Sequence, residues 1–455
     1  MPIERLLIAN RGEIAVRIIR AAKAMGIHTI QAHSEADADM LAVRMADESI
    51  CIGPAPAAQS YLNVDAVVAA AKASRADAVH PGYGFMAENA GFVRALDAAG
   101  ITFVGPSADT IDRMGDKVAA RQAAEAAGVP VVPGSKGRLD TVEDAVNVAA
   151  NLGYPVMIKA AAGGGGKGIR IAQTEEELRK MAPQAQAEAK AAFGDGGLYL
   201  ERAINAPRHI EVQIMGDGTD AVHYFERECS MQRRRQKVWE EAGAACLDEK
   251  TRAHLCDTAV ALAKAVNYVG AGTLEYLYDS NTGEFFFIEM NTRIQVEHPV
   301  TEMLTGTDLV QEMIHVAGGG KLRQKQHDIT RAGHAIEVRL NAEDPMMQFL
   351  PFPGQVSELR IPEGEGIRFD HFLYDGYQVP PFYDSLLGKL IVHGKDREAA
   401  IALMITALEG LEIGGLKTTK ALHLALACDA SVQADDFHTQ WLEPWLAAGN
   451  LKPTH

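Results

Sequence analysis

The sequence predicts a mixed α/β and α+β chain: an N-terminal doubly wound parallel sheet, a middle domain built round a glycine-rich loop, and a C-terminal mixed, β-rich domain. Three observations carry this. Short apolar strands alternate with helical periodicity from Arg5 to Val104, the pattern of βαβ units. Gly163-Gly164-Gly165-Gly166-Lys167-Gly168 joins two strands and does not open a helix. From His334 onward most segments alternate with a period of two, as half-buried strands do.

At 455 residues about two to four domains are expected. Hydrophobic content of 47% and charged content of 23% describe a globular chain with ample core. A net charge of −16 argues against a general polyanion binder, so no nucleic-acid partner is expected. Cys51, Cys229, Cys246, Cys256 and Cys428 form no CxxC pair, which disfavours a disulfide framework or zinc cluster and fits a reducing cytoplasm. No signal-peptide pattern and no apolar run of membrane-spanning length occur, so neither secretion nor a membrane partner is expected.

In chain order, Arg5–Asn10 is an apolar strand. Ile14, Ile18 and Met25 follow at helical spacing, and Gly26 ends that helix. Strands His28–His33, Ser49–Ile52, Asp77–His80 and Ile101–Val104 alternate with helices Val64–Ala73 and Ala87–Ala98. Such sheets bind ligands beyond the carboxyl ends of their strands. Three loops of marked composition leave those ends: Asn10-Arg11-Gly12-Glu13, His80-Pro81-Gly82-Tyr83-Gly84 and Gly105-Pro106. The first is not a GxGxxG, so a dinucleotide site is not supported.

Helix Thr110–Ala127 ends at Gly128, and Pro130 and Pro133 mark a boundary. Thr141 caps helix Val142–Leu152, strand Tyr154–Ala160 carries Lys159, and after the glycine loop come strand Ile169–Ala172, helix Glu175–Phe193 and strand Leu198–Glu201. Bare glycine N–H groups can approach phosphate oxygens, with Lys159 and Lys167 adding positive charge. The loop is not a Walker A motif, and taken alone it reads equally as a plain flexible loop.

His209–Arg227 reads as a hairpin around Gly216-Asp217-Gly218 and leads into Gln232-Arg233-Arg234-Arg235-Gln236-Lys237. Basic runs are usually solvated, but in this acidic chain, directly after a strand, some of these cations are read as facing an anion. After helix Glu249–Val266, strand Gly270–Leu277 turns at Asn281-Thr282-Gly283 and returns as Phe285–Asn291. Glu275 and Glu289 then lie side by side, and with Asn291 they make an all-oxygen site suited to Mg²⁺. The apolar run Phe285–Ile288 continues with Glu289, Asn291, Arg293, Gln295 and Glu297 at alternate positions. In an extended chain all five face one side. Carboxylates, amides and a guanidinium in one row need partners, a metal or water, and so read as a site. His334–Ala342 places Glu337, Arg339 and Asn341 on one face, β segments follow from Gln355 to His393, and two helices follow Asp396.

Taken in order, IANRGEIAVRI at 8–18, HPGYGF at 80–85, MGDK at 114–117, GGGGKG at 163–168, PRHIEVQ at 207–213, CSMQRR at 229–234, GAGTLEY at 270–276, EMNTRIQVEHPVTE at 289–302 and YDSLLGKL at 383–390 resemble the biotin carboxylases, which are ATP-grasp enzymes. The resemblance covers essentially the whole chain. It implies an N-terminal domain over 1–116, an ATP-grasp domain over 117–330 with a mobile glycine-rich lid near 131–203, and a C-terminal domain over 331–447. It implies that bicarbonate and Mg·ATP give carboxyphosphate and ADP, and that the CO2 then released is fixed on N1′ of biotin. By the same resemblance Lys117, Lys159, Gly164, Gly165, Gly166, Glu201, His209, Gln232 and Leu277 would hold ATP. Glu275, Glu289 and Asn291 would hold Mg²⁺ or Mn²⁺. Lys237, Arg293, Gln295 and Val296 would hold bicarbonate, and Glu297 would deprotonate it. Arg339 would stabilise the biotin enolate, with Tyr83 and Gly84 lining the biotin side.

Three positions depart from the family pattern. Arg235 stands where His or Asn is commoner, Trp239 replaces an aliphatic residue, and Gly243 stands where proline is usual. No Met-Lys-Met biotinylation motif occurs. The expectation is therefore a carboxylase subunit of an acyl-CoA carboxylase, working with a separate biotinylated carrier protein and a separate carboxyltransferase, and forming a homodimer. The alternatives are a pyruvate carboxylase-type subunit, another ATP-grasp ligase joining a carboxylate to an amine, and a catalytically dead subunit.

Overall fold

The computed structural model describes residues 2–160, 170–193 and 196–452. It divides into two compact units, one of Met1–Val129, Arg208–Tyr276 and Glu289–His455, the other of Pro130–Pro207 and Leu277–Ile288. Among the described residues no helix is long and apolar enough to cross a membrane.

The first unit opens with the expected parallel sheet, in the order Glu48–Cys51, His28–His33, Arg5–Ile8, Ala78–His80, Thr102–Phe103. The chain starts in the middle, winds out one way, then returns to the other side of its first strand. That reversal opens a crevice at the carboxyl ends of Arg5–Ile8 and Ala78–His80. The loops after these two strands are tied together there. The Asn10 side-chain amide donates to Pro81 O at 2.6 Å and to Tyr83 O at 2.7 Å. Gly82 has φ +61°, and a Cβ on it would come within 2.9 Å of the Asn10 amide nitrogen, so the approach requires glycine.

Two helices differ from expectation. The helix expected over Ala87–Ala98 starts at Ala90, because the Asn89 side chain accepts from Phe92 N–H and caps it there. The preceding turn leaves Glu88 outside the helix. The single helix expected over Thr110–Ala127 is two, Ala108–Gly115 and Lys117–Ala126. Asp116 separates them: its carboxylate accepts from Val118 and Ala119 N–H and caps the second helix. Beyond Asp396 the described residues hold four helices where two were expected, Arg397–Gly410, Lys420–Ala427, Ala430–Gln433 and Leu442–Ala447. The last two are short and carry too few periodic positions to register in the sequence.

An eight-stranded sheet runs in the order Glu284–Asn291, Val269–Asp279, Arg208–Asp217, Ala221–Arg233, Gln236–Ala242, His334–Asn341, Leu386–Gly394, Ile367–His371. The hairpin around Gly216 is present, with Ala221 opposite Gly216. A second tight turn follows, in which Arg234 and Arg235 both take positive φ, 49° and 67°. His and Asn enter that conformation more readily than Arg. Gly243 has φ +89°, a value proline's ring forbids. Trp239 is buried, and its indole N–H donates to Glu241 at 2.8 Å. The register sets Glu240 opposite Glu337 and Arg339 opposite Lys389. All four side chains therefore stand on one face of the sheet.

In the second unit the antiparallel sheet Arg170–Ala172, Val156–Ala160, Leu198–Arg202 packs against helices Val142–Leu152 and Glu175–Phe193. Its core includes Val146, Val156, Ile158, Leu178 and Leu200. Gly163–Gly168, including Gly164, Gly165, Gly166 and Lys167, lies outside the described residues.

Candidate active site

The row of polar residues does not stay extended. Strand Glu284–Asn291 ends, and residues 292–297 bend before helix His298–Thr305. Glu88 causes the first bend: its carboxylate accepts from Thr292 N–H at 3.0 Å and from Arg293 Nε at 2.9 Å. Pro299, in the first turn of the helix, fits the helix start and not a ladder. The side chains nevertheless converge. Arg293 donates to Asn291 Oδ1 at 3.1 Å, and the Asn291 and Gln295 amides donate to Glu275 Oε1 at 2.9 and 3.2 Å.

Glu297 is the centre. It is wholly buried, with Lys237 Nζ at 2.7 Å from one oxygen and an Arg339 nitrogen at 3.0 Å from the other. Burial alone would raise its carboxyl. The positive charges of Lys237, Arg339 and Arg227 outweigh this and hold it well below the usual carboxylate range. Lys237 also meets Glu211 at 2.6 Å and Glu275 at 3.0 Å. Burial opposes its charge, but these carboxylates keep its ammonium well above its ordinary value. Arg339 is shared between Glu297 and Glu240, the latter at 2.6 Å. Beneath them Arg227, with no exposed side-chain surface, donates to Glu211 at 2.5 Å, Gln213 at 2.7 Å, Thr301 at 3.0 Å and Thr273 at 3.1 Å.

The metal set expected from the sequence is brought together. Glu289 and Glu275 lie on neighbouring strands. Burial, then the negative charge of Glu275, raises the Glu289 carboxyl, while Lys117 and His209 oppose this. Glu275 behaves oppositely: burial would raise it, but Lys237 and His209 hold it below the usual range. Two carboxylates and an amide oxygen with one carboxyl raised by its neighbour form a hard-oxygen set that fits Mg²⁺ or Mn²⁺.

The residues expected to hold nucleotide fall in both units. In the first, Lys117 opens its helix, His209 Nε2 lies 3.2 Å from Glu275, and the Gln232 amide lies 3.2 Å from His209 Nδ1. In the second, Lys159 and Glu201 are ion-paired, and Leu277 packs against Val132, Ile204 and Phe286. Of the two residues expected to line the biotin side, the Tyr83 hydroxyl donates to Glu13, and Gly84 takes φ +68°.

Sequence reasoning missed Glu88, Glu211, Arg227 and Glu240, and it put Glu337 on the face of Arg339 without a role. Glu211 alternates with His209 within PRHIEVQ, a signal that could have placed it on the site face. Glu337 is fully buried opposite Glu240, and neither of its oxygens meets a hydrogen-bond partner among the described residues. Burial pushes its carboxyl well above the ordinary value of 4.5, and Glu240 and Glu297 add to this against Lys389 and Arg339. Folded Glu337 therefore keeps a proton at pH values where the unfolded chain has released it. Its burial costs stability increasingly as pH rises above 4.5. Glu337→Gln removes that dependence. As pH rises above 4.5 the variant should gain on wild type by up to about 1.4 kcal/mol per pH unit, read as the difference in Tm at each pH. A difference that stays constant would mean Glu337 is ionised.

Three domain models match in order: "Biotin carboxylase, N-terminal domain" over residues 2–111, "Carbamoyl-phosphate synthase L chain, ATP binding domain" over 116–325 and "Biotin carboxylase C-terminal domain" over 337–444. The chain is 51% identical to biotin carboxylase 1 of Bacillus subtilis over 449 residues, covering 98% of this chain and 100% of that protein. It is 52% identical to the biotin carboxylase of Pseudomonas aeruginosa over 443 residues, covering 97% and 98%. Among solved structures, a Campylobacter jejuni biotin carboxylase in complex with β,γ-ATP aligns with TM-score 0.89 and 49% identity over 97% of this chain and 99% of that one. The biotin carboxylase domain dimer of Hydrogenobacter thermophilus 2-oxoglutarate carboxylase, bound to MgADP, ADP and bicarbonate, aligns with TM-score 0.88 and 45% identity over 100% of both chains. With relatives about half identical along nearly their whole length, the chain belongs to the biotin carboxylase family.

Proposed function

We propose that this chain carboxylates biotin borne on a separate carrier protein, using ATP and bicarbonate, and that Glu297 is the base that activates bicarbonate. The observation that carries the assignment is Glu297 itself, a buried carboxylate held by Lys237 and Arg339, with Arg293 and Gln295 on the same turn. Bicarbonate is a planar anion that suits a guanidinium fork beside an ammonium. Lys237, Arg293, Gln295 and the Val296 N–H would hold it, while the ionised Glu297 takes its proton.

Lys117, Lys159, Glu201, His209, Gln232, Leu277 and the backbone of Gly164–Gly166 are assigned to ATP. Glu275, Glu289 and Asn291 are assigned to Mg²⁺ or Mn²⁺, which when bound supplies charge neutralisation at the phosphates. Bicarbonate attacks the γ-phosphorus of ATP, giving carboxyphosphate and ADP. Carboxyphosphate breaks to CO2 and phosphate, the phosphate released takes the N1′ proton of biotin, and the N1′ of the resulting enolate bonds to CO2. Arg339 stands where the enolate charge develops, with Tyr83 and Gly84 on the biotin side.

The three-part division at 1–116, 117–330 and 331–447, with a lid near 131–203, is our reading of the organisation. A homodimer is assigned alongside a separate carrier protein and carboxyltransferase. A cytoplasmic setting agrees with the five free cysteines.

The test is ADP release by the purified chain supplied with ATP and Mg²⁺, with and without bicarbonate and free biotin. ADP release that requires bicarbonate and rises with biotin, with acid-labile carbon fixed on biotin, is the expected result. Release indifferent to both would return the chain to the other ATP-grasp ligases.

A further inference from the structure

The turn that gathers Arg293, Gln295 and Glu297 belongs to neither strand nor helix; the His298 N–H donates to Gln295 O at a long 3.3 Å, and side chains behind the turn must hold the rest of its backbone. Two of them do. His298 is fully buried, with Nδ1 2.8 Å from Gln295 O. Burial, then the charges of Lys389, Arg17 and Arg368, keeps the ring neutral. A carbonyl oxygen can only accept, so Nδ1 carries the proton of this bond. Lys389, also fully buried, reaches from strand Leu386–Gly394 and donates to Val296 O at 2.7 Å. Its charge is balanced by Glu13 at 3.2 Å, the carboxylate that also accepts from the Tyr83 hydroxyl.

The peptide group is planar. Fixing Gln295 O therefore fixes the Val296 N–H across the same bond. Fixing Val296 O likewise fixes the Glu297 N–H and the direction in which Glu297 leaves the backbone. One consecutive pair of peptide planes is held by two side chains, one planar and donating from a ring edge, one a buried ammonium. An ammonium in a core is costlier than an apolar side chain of the same length, and here its one contact with this turn is a backbone carbonyl between two proposed site residues.

We propose that Lys389 and His298 are positioning residues of the carboxylation reaction, setting the two peptide planes of residues 295–297 so that the Val296 N–H and the Glu297 carboxylate are both aimed at bicarbonate. This rests on the reading of that turn as the bicarbonate site. Neither residue is assigned a contact with substrate. They act through the backbone they hold, where a displacement near 1 Å costs on the order of 10²-fold in rate.

The experiment uses the full chain and three variants, Lys389→Met, His298→Ala and His298→Asn. The Asn amide can donate from nearly the place of the His Nδ1. Bicarbonate-dependent ADP release is measured as KM for bicarbonate and kcat, and ATP affinity is measured separately by equilibrium binding without bicarbonate. Lys389→Met and His298→Ala should lose about 10²-fold in kcat/KM for bicarbonate, with ATP affinity within about twofold of wild type. His298→Asn should recover at least about tenfold of the loss. Equal impairment of His298→Ala and His298→Asn, or wild-type bicarbonate kinetics in His298→Ala, would overturn the proposal. Should Lys389→Met fail to fold, the His298 pair decides alone. Wild-type ADP release that ignores bicarbonate would sink the site reading itself, a separate outcome from flat variants of a bicarbonate-dependent enzyme.

Discussion

Glu297→Ala is expected to abolish bicarbonate-dependent ADP release, with a loss of about 10²–10⁴-fold, while ATP affinity stays near wild type. The expectation follows from what the carboxylate touches. Its charged partners are Lys237 and Arg339, on the side assigned to bicarbonate and biotin, and the buried Cys229 thiol donates to it at 3.9 Å. Among the described residues its ion pairs are with those two cations and not with Lys117 or His209, which are assigned to nucleotide. Removing it leaves two cations short of one counter-charge, so bicarbonate can still be attracted. What is lost is the acceptor for its proton. Steady-state ADP release, paired with equilibrium binding of ATP, checks this. Loss of ATP affinity with turnover retained would place Glu297 at the nucleotide instead.

Arg227→Met should destabilise the protein by about 3–5 kcal/mol. The guanidinium has no exposed surface and donates to Glu211, Gln213, Thr273 and Thr301. Methionine fills much of the same volume and donates nothing. Glu211 is then buried with Lys237 as its remaining close cation, and the acceptors on Gln213, Thr273 and Thr301 lose a donor. Denaturant unfolding measures the change. A shift below about 1 kcal/mol would show that the network relaxes without Arg227.

How much of this was legible depends on distance along the chain. The parallel sheet could be read because each βα unit is local. Glu275, Glu289 and Asn291 could be read because a short turn joins their strands, and alternation fixes which side chains share a face. The bend after Asn291 could not. It depends on Glu88, more than two hundred positions away, and on carbonyls turned back onto His298 and Lys389. Arg227 and Glu240 were hidden for a related reason: each sits in a strand whose buried partners come from other strands, and only the register makes them neighbours of Glu297. The break at Asp116 was within reach. Gly115-Asp116 is a helix stop followed by an N-cap, and helical periodicity on both sides masked it.

The margins of the N-terminal parallel sheet have a consequence for how the protein behaves at high concentration. One outer strand, Glu48–Cys51, is largely solvated, and its first residue is a carboxylate held by Arg5 and His28. The other, Thr102–Phe103, is two residues long. An unpaired strand recruits a neighbouring molecule when it is long, flat and greasy. Here one margin presents charge and the other offers too few free amides to template a ladder, so this sheet resists stacking edge to edge with its own copies.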